Sequence, residues 1–547
     1  MFVQMAADDR KIMQQPNQHL LSALLLAILG GIAGALAIPP FDFWPFVFLS
    51  VACFALLALH NKPLRAALLG ALWAFTYFFT IFDWITVSAG TPIARIVLAL
   101  VLACFFFFIG LIWALLFAPY RERVISFSSN KQSFLGLLGV MMLAAFTWIG
   151  VEQLRMAIPF GGMPWGNIAF SLTDSPFLPL ARFGATQLLQ FFAVLISLCF
   201  AFIYQLLVKS YFFAALKLVF FAALLAILPF FVPSVEVSGP AINALVVQGN
   251  APDSFANYAG GARALEITEN HVLLTQKTFR DGIDLVVWPE SASDRDIRTD
   301  AKARSTFAKI FPILGDTPIL LGTQEYFSDG TRTNDYLVSV FGQIVGKYSK
   351  QHPVPFGEYV PWRKTLGKYF TQIEQIASDM IPGKLPARLD VPLRKETLQN
   401  TERSRSVRVG VPICFEVAFD GIVAEAAQNT DFIIFPTNNS SFGHTGQAAQ
   451  QFAMARFRAV EHAKTVIQVA TSGISGAIDP NGVVAYTTDL YSADARVVKV
   501  ILQSESTFAT RTIYLRELAI YIISGVATMY AAISYVRLGR KNRISKA

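Results

Sequence analysis

The chain has 547 residues, of which 54% are hydrophobic and 15% are charged. Soluble domains are typically about 25% charged, so this composition excludes an ordinary soluble protein, and equally a disordered, collagen-like or coiled-coil chain. The formal net charge of +8 does not indicate nucleic-acid binding, because residues 233–510 carry 26 Lys and Arg against 29 Asp and Glu, and the basic excess lies outside them.

Eight apolar runs approach or exceed the length of about 20 residues that a helix needs to cross a bilayer. We therefore predict a polytopic α-helical membrane protein with about eight spans, the second of them short. The expected domains are a seven-span membrane domain over 1–232, a polar domain over 233–510, and a C-terminal span with a basic tail over 511–547. The runs are Leu20–Ile38, Trp44–Leu59, Ala66–Val87, Ile96–Ala118, Phe134–Val151, Leu188–Val208, Tyr211–Val232 and Leu518–Val536.

Lys and Arg in the short connections favour one side of the membrane. The connections and tail on the side of the two termini hold 13 of these residues, and the connections on the other side hold 3. Since positively charged connections stay in the cytoplasm, we expect both termini to be cytoplasmic. Residues 233–510 follow seven crossings and are expected on the outer side. The first run is longer than the apolar region of a usual signal peptide and is expected to remain as an anchor.

The polar domain alternates strand-like and helix-like segments, a pattern that predicts a layered α/β sheet with sites at strand ends. Helical patterns lie at about 261–280, 417–428 and 446–463. The predicted strands are Ala244–Val247, Asp284–Trp288, Pro318–Gly322, Tyr336–Val345, Val407–Ile413, Phe432–Phe435 and Val466–Ala470.

Three strand-like runs end in, or lead directly to, residues that suit acyl transfer: the run 285–290 ends in Glu290, the run 346–350 ends in Lys350, and the run 407–413 leads to Cys414, the only cysteine of the polar domain. A free thiol is mostly protonated at neutral pH. A neighbouring carboxylate such as Glu290 can take its proton and return it to the leaving group, and Lys350 can stabilise both the thiolate and the oxyanion. Each residue alone is more often a surface charge or a core thiol. All three at strand ends favour a catalytic site.

Three segments that carry these residues resemble the Glu–Lys–Cys triad of the nitrilase (carbon–nitrogen hydrolase) superfamily. They read WPES at 288–291, YSKQHPVPFGEYVP at 348–361 and ICFE at 413–416. More narrowly, these segments and the order of seven spans, polar domain and one span resemble the apolipoprotein N-acyltransferase branch. The resemblance implies an inserted extracytoplasmic domain with an α-β-β-α sandwich fold, in a bacterial cell inner membrane.

The activity implied by the resemblance is transfer of an acyl chain from a phospholipid, through a cysteine thioester, to the α-amino group of a diacylglyceryl-cysteine at the N-terminus of an apolipoprotein. Glu290 then corresponds to the general base, Lys350 to the oxyanion stabiliser and Cys414 to the nucleophile. Glu358 matches a further active-site glutamate and Glu416 a supporting carboxylate. The expected partners are the phospholipid, the apolipoprotein and the membrane, with no cofactor, metal or nucleic acid.

The sequence departs from the family pattern in the segment after the nucleophile and further on. Phe415 stands where the family often has Tyr, and Asn439 and Ser441 replace an Asp and a Trp, which puts contacts to the acceptor or acyl chain in question. Arg456, Arg458 and Glu461 on a helical pattern fit the family, although such residues also form ordinary salt-bridged helix faces.

Two membrane-proximal segments are candidates for lipid contact. The loop Glu152–Thr186, with Trp165, resembles the family's membrane-proximal loop, and the segment Tyr359–Phe370, with Trp362, alternates apolar and basic residues. We expect this second segment to form a mobile arm that touches headgroups, or else an ordinary packed helix. Trp165, Trp362 and Phe415 are the candidate substrate or lipid contacts.

Two other functions are compatible with parts of the pattern. A membrane-tethered amidase of the same superfamily would use water as the acceptor, but eight spans exceed what tethering needs. A transporter with an external binding domain is less favoured, because the spans show no inverted repeat and few intramembrane ionisable residues.

Overall fold

The structure is a computed structural model that describes residues 16–123, 131–251, 260–368, 376–393 and 406–544. The part of the predicted basic N-terminus before residue 16 and the end of the predicted arm, residues 369 and 370, lie outside the described residues.

Apolar helices occupy the positions of the predicted spans. Among the described residues, six are long and apolar enough to cross a membrane, and the first two predicted spans form shorter apolar helices, Leu20–Leu36 and Phe46–His60. The helices before the polar domain are α1 (Pro16–Leu36), α2 (Phe46–His60), α3 (Pro63–Ile81), α4 (Asp83–Ser88), α5 (Pro92–Arg123), α6 (Lys131–Arg155), α7 (Ala181–Val208) and α8 (Phe212–Ile227).

Two of the predicted spans are interrupted or bent in the structure. The third run, Ala66–Val87, is interrupted because Phe82 leaves the helical conformation between α3 and α4. The sixth begins earlier than predicted, and it is bent where Gly184 and Ala185 take non-helical backbone angles.

Glycines let the membrane helices approach one another at backbone distance. A Cβ atom at Gly110 of α5 would lie 2.6 Å from the carbonyl oxygen of Ala66 in α3, and one at Gly31 of α1 would lie 2.4 Å from the carbonyl oxygen of Trp73. Small residues at such crossings favour the close van der Waals packing that holds membrane helices together.

The polar domain contains two six-stranded sheets. Their orders are β12-β1-β2-β3-β4-β5 and β11-β10-β9-β8-β7-β6. The strands are β1 (Ala241–Gln248), β2 (Leu285–Val287), β3 (Ile319–Tyr326), β4 (Arg332–Val340), β5 (Gln343–Ser349), β6 (Arg388–Pro392), β7 (Ser406–Gly410), β8 (Phe432–Thr437), β9 (Val466–Ala470), β10 (Gly476–Ile478), β11 (Val484–Thr487) and β12 (Asp494–Ile501).

The prediction of one strand over Tyr336–Val345 is wrong, because this segment turns back on itself. Phe341 and Gly342 both have positive φ, 49° and 76°, as the tight turn of a hairpin requires. They separate β4 from β5, which pair antiparallel. The apolar run continues through the turn, so composition alone does not mark it.

Helices cover the outer face of each sheet. The remaining helices are α9 (Gly260–Thr278), α10 (Ala301–Ala308), α11 (Phe311–Leu314), α12 (Arg363–Leu366), α13 (Asp420–Ala427), α14 (Gln447–His462), α15 (Phe508–Arg511) and α16 (Ile513–Ile544). Residues of α9 and α10 form one core with the first sheet, and a second core lies between the sheets. Residues of α13 and α14 share a third core with the second sheet and the membrane helices.

This arrangement is the predicted α-β-β-α sandwich. Its second helical layer also serves as the contact layer with the membrane part, so the sandwich and the spans pack as one body through α14.

The close approach of α3 and α5 gives a test of the helix packing. Gly110→Ala places a Cβ against a backbone carbonyl that has no free rotation, whereas Gly139→Ala in α6 meets nothing within 4 Å. We expect Gly110→Ala to lower the unfolding temperature in detergent, with an overpacking cost of about 1–3 kcal/mol. Gly139→Ala should leave it unchanged or raise it slightly, because alanine is the better helix former. Equal unfolding temperatures for the two variants would contradict this packing.

Candidate active site

The sheet topology brings Glu290, Lys350 and Cys414 to one rim of the sandwich. Strand β5 is antiparallel to β4, which is antiparallel to β3, and β3 is parallel to β2. The chain therefore leaves β2 and β5 in the same direction, and Glu290 and Lys350 follow their ends. The hydroxyl of Thr471, just after β9 of the second sheet, donates to the Glu290 carbonyl at 2.8 Å. The two sheets therefore present their strand ends to each other.

Lys350 is a buried ammonium held between two carboxylates. Its Nζ lies 2.7 Å from Glu358 Oε1 and 3.5 Å from Glu290 Oε1, and its side chain is 1% exposed. Burial alone would lower the pKa of Lys350, but the charges of Glu358 and Glu290 hold it above its usual value. The lysine is therefore a fixed positive charge at neutral pH.

Glu290 is buried and only partly satisfied. Its Oε1 accepts from Asn334 Nδ2 at 2.6 Å, while its Oε2 has no hydrogen-bond partner among the described residues. Burial raises the pKa of Glu290 above its ordinary value, and the neighbouring Lys350 charge opposes that rise. A carboxylate with a raised pKa and a free oxygen is suited to accept a proton.

Cys414 begins a 3₁₀ turn, Cys414–Ala418, immediately after the buried segment that follows β7. Its φ of 51° is in the left-handed region, which is uncommon for a residue with a side chain. Burial and the nearby Glu290 charge raise the pKa of the thiol to about 12, against the opposing effects of Lys350 and the Asn438 backbone. The partly exposed thiol is thus protonated until a base removes its proton.

Glu416 ties two segments of the site together. Its carboxylate accepts from the Tyr348 hydroxyl at 2.9 Å and from the backbone N–H groups of Gln351, His352 and Ile413 at 2.7, 3.0 and 2.7 Å. Burial raises the pKa of Glu416 to about 7, and these backbone donors oppose the rise. The chain after Lys350 is thereby fixed to the chain before Cys414.

The three candidate lipid contacts lie in different environments. Trp165 and Phe415 are 2% and 5% exposed and stack on each other with ring centroids 6.1 Å apart. Trp362 is 70% exposed. Only Trp362 of the three is available to a lipid surface in this structure, and Trp165 and Phe415 form part of the wall between the membrane part and the sandwich.

A loop of the membrane part rests on the segment after Lys350. Phe160 packs edge-on against Phe356 and Trp362, at centroid distances of 6.0 and 4.9 Å. At Gly161, whose φ is positive, a Cβ atom would lie 2.2 Å from the His352 ring. The loop is held from the membrane side by buried Arg155, which donates to the carbonyls of Met163 and Trp165 and pairs with Glu152 of its own helix.

A buried ionic network lies behind the Cys414 turn. Arg458 donates to the carbonyls of Val417 and Ala418 at 2.8 and 3.1 Å and pairs with Asp420 and Glu461. The predicted Arg458–Glu461 pair is therefore a structural clamp on the turn that carries the thiol.

Sequence reasoning missed two residues of the site, Asn334 and Gln451. Asn334 lies within β4, and Gln451 within α14 places its Nε2 3.7 Å from Cys414 Sγ. Neither belongs to a recognisable motif. The i, i+4 pair Gln447 and Gln451 on one helix face, together with the departure at Asn439, is the one signal that was available.

The structure gives a physical reason for the departure at Asn439. The Asn439 Nδ2 group donates to the side-chain oxygens of Gln447 and Gln451 at 2.6 and 2.7 Å. An ionised aspartate there could not donate to these two oxygens, because its carboxylate has only acceptors.

The structure gives no comparable reason for the other departure, Ser441, which is half-buried.

Comparisons with known proteins agree with this architecture. Residues 30–199 match the family model described as the apolipoprotein N-acyltransferase N-terminal domain, and residues 319–511 match the carbon–nitrogen hydrolase model. Lys350, Glu358, Cys414 and Glu416 lie within the second match, and Glu290 lies before it.

Similar proteins extend over most of the chain. Apolipoprotein N-acyltransferases of Pseudomonas syringae pv. tomato, Coxiella burnetii and Haemophilus influenzae are 26%, 27% and 29% identical. Each alignment covers 84% of this chain, and 87%, 90% and 85% of the respective relatives.

The fold and the matches define a membrane-bound acyltransferase whose polar part is a carbon–nitrogen hydrolase domain. Within that class, residues 30–199 match the N-terminal domain of apolipoprotein N-acyltransferases, and the chain is similar to these enzymes over 84% of its length.

The bonds of Glu416 lead to a test of its structural role. Glu416→Gln keeps the size but replaces one acceptor oxygen with a donor, which must face a buried N–H group. Each buried group left unpaired costs about 1–3 kcal/mol. We expect a lower unfolding temperature and slower modification or acylation of Cys414.

The matched control is Glu425→Gln, at a partly exposed position of α13, which should behave as wild type. A fully stable and active Glu416→Gln protein would show that this carboxylate does not organise the site.

Proposed function

We propose that the protein transfers an acyl chain from a phospholipid to the N-terminal amine of an apolipoprotein, by way of a thioester on Cys414. The observation that carries the proposal is the cluster of buried Glu290, buried Lys350 and half-buried Glu358 near the partly exposed Cys414, in a chain similar to apolipoprotein N-acyltransferases.

In the first half-reaction, Glu290 takes the Cys414 proton and the sulfur attacks the ester carbonyl of the phospholipid. The carbon–sulfur bond forms, and the negative charge that develops on the carbonyl oxygen is stabilised by the Lys350 ammonium. The bond to the glycerol oxygen then breaks. Glu290 returns the proton to that oxygen, which leaves as the alcohol of a lysophospholipid.

In the second half-reaction, the α-amino group of a diacylglyceryl-cysteine attacks the thioester carbonyl. Glu290 takes a proton from the attacking amine, the carbon–nitrogen bond forms and the carbon–sulfur bond breaks. The proton passes to the departing sulfur, which restores the Cys414 thiol. The same three residues therefore serve both steps of a ping-pong reaction.

The roles of the supporting residues are inferred from their contacts. Glu358, at 2.7 Å from Lys350 Nζ, keeps the ammonium in place when Glu290 is protonated. Glu416 fixes the two segments that carry Lys350 and Cys414. Trp165 and Phe415 form part of the wall between the membrane part and the sandwich, along which the acyl chain lies. Exposed Trp362 touches the lipid surface.

The membrane part brings the thiol to substrates that stay in a bilayer, since exposing each buried CH₂ to water costs about 0.8 kcal/mol. In this proposal residues 1–232 form the membrane domain, 233–510 the catalytic domain and 511–547 the last span and tail. The catalytic domain lies on the periplasmic side of the inner membrane and both termini lie in the cytoplasm, consistent with the distribution of Lys and Arg.

The thioester can be observed directly. Purified protein incubated with phospholipid of one acyl composition, without acceptor, should gain the mass of one acyl chain, and Cys414→Ala should gain none. Cys104→Ala, which removes the exposed cysteine of α5, is the matched control and should be acylated as wild type.

Acceptor peptide added next should remove the acyl mass and appear acylated. Release of free fatty acid with no acylated peptide would instead identify a membrane-tethered amidase or hydrolase. An acyl mass that persists in Cys414→Ala would contradict the proposed nucleophile.

The role of Glu290 gives a pH dependence. Because burial raises the pKa of Glu290 above the ordinary value of 4.5, the base gains activity as it loses its proton at a pH above that value. The single-turnover rate of thioester formation should therefore rise with pH above 4.5.

Glu290→Gln should be slower by about 10²–10⁴-fold and should lack this rise. Glu325→Gln, which changes a glutamate of the same sheet outside the site, should keep the wild-type profile. An unchanged profile in Glu290→Gln would exclude this glutamate as the base.

A further inference from the structure

A buried side-chain amide lies against the sulfur on the side of α14. Gln451 is fully buried, and its Nε2 lies 3.7 Å from Cys414 Sγ and 2.9 Å from Thr437 Oγ1. Its Oε1 accepts from Asn439 Nδ2 at 2.7 Å and from Gln447 Nε2 at 3.2 Å. Both N–H bonds and both acceptor positions of the amide are therefore used.

These partners decide which end of the amide faces the sulfur. The Asn439 and Gln447 amides each direct an N–H group at the oxygen of Gln451. If the Gln451 amide alone were reversed, its NH₂ group would meet two donors and its oxygen would face the sulfur. With these two partners as they stand in the structure, the network directs an N–H group toward Cys414.

The backbone that carries Gln451 is also held in place. The preceding residue, Gln450, donates to the carbonyls of Pro39 and Ile81, both at 3.1 Å, and accepts from Trp165 Nε1 at 2.7 Å. Three segments of the membrane part therefore fix the rotation of α14 at this point. Gln451 cannot turn away from the sulfur without breaking these bonds.

We propose that Gln451 is a further catalytic residue, whose amide N–H stabilises negative charge on the Cys414 sulfur. Sulfur carries that charge twice: when Glu290 removes the thiol proton, and when the thioester carbon–sulfur bond breaks. The catalytic consequence rests on the proposed function, whereas the effect on the free thiol does not.

The expected size of the effect on the thiolate fraction follows from the different strengths of hydrogen bonds to neutral and to charged acceptors. A hydrogen bond to a charged group is roughly twice as strong as one to a neutral group, so the amide favours the thiolate over the thiol. Loss of the donor should lower the thiolate fraction at a fixed pH by about tenfold, which is a pKa change of about one unit.

Two variants remove the donor in different ways. Gln451→Met keeps the approximate volume without an N–H group. Asn439→Asp leaves Gln451 in place but presents acceptors to it, which favours the reversed amide with its oxygen toward the sulfur. If the methionine variant fails to fold, Gln451→Leu, which also lacks an N–H group, is measured in its place, because the charge of an aspartate at 439 would lower the thiolate fraction by itself. The control is Gln468→Met, which removes another buried glutamine, bonded to the Ile474 carbonyl and away from the thiol.

The measurement is the second-order rate constant for alkylation of Cys414 by iodoacetamide at pH 8, in the full-length protein in detergent, with the modified peptide identified by mass spectrometry. We expect about tenfold slower alkylation in Gln451→Met and in Asn439→Asp, and the wild-type rate in Gln468→Met. A folded Gln451→Met or Asn439→Asp protein that is alkylated at the wild-type rate would overturn the proposal.

Acylation of the wild-type protein by phospholipid separates the two hypotheses. Slow alkylation of the variants with no acyl mass on wild-type Cys414 would leave the role of Gln451 intact and refute the proposed function. Normal acylation of wild type with unchanged alkylation of the variants would refute only the role of Gln451.

Discussion

Burial of the Lys350 ammonium is the constraint on which the site depends. Transfer of a single charge from water to a protein interior is costly unless the charge is paired and hydrogen-bonded. Glu358 and Glu290 supply that pairing at 2.7 and 3.5 Å. Because the three side chains come from the ends of two strands and the loop that follows, the first sheet must close correctly before the ammonium can be accommodated.

The same cluster sets the protonation states that acyl transfer needs. Lys350 remains charged, the pKa of Glu290 is raised by burial, and the thiol pKa of Cys414 is raised to about 12. A free thiolate is therefore not stored in the resting site. In the proposed reaction the proton moves from the sulfur to Glu290 as the sulfur attacks, and Lys350 stabilises the charge that appears.

The membrane part is connected to the Cys414 sulfur through contacts of α14. One face of this helix carries Gln450, bonded to Pro39, Ile81 and Trp165, and the next residue, Gln451, contacts the sulfur. Further along, Arg458 clamps the turn after Cys414. A movement of the membrane helices that contact α14 therefore also moves the turn that carries the Cys414 thiol.

Much of this arrangement is predictable from sequence, because strand ends and apolar runs leave strong local patterns. The positions of the spans, most of the inner strands and the convergence of Glu290, Lys350 and Cys414 follow from such patterns. The hairpin at Phe341 and Gly342 does not, since the apolar run continues through it. Asn334 and Gln451 were also missed, because their roles depend on partners that only the tertiary fold brings near.

The most direct measurement of the central claim is a cryo-electron microscopy map of the wild-type protein in lipid nanodiscs, prepared with phospholipid and without acceptor. The account predicts continuous density from Cys414 Sγ into the hydrocarbon layer, with the carbonyl oxygen of the adduct beside Lys350 Nζ. Acyl density attached to another residue, or a carbonyl oxygen directed away from Lys350, would contradict it.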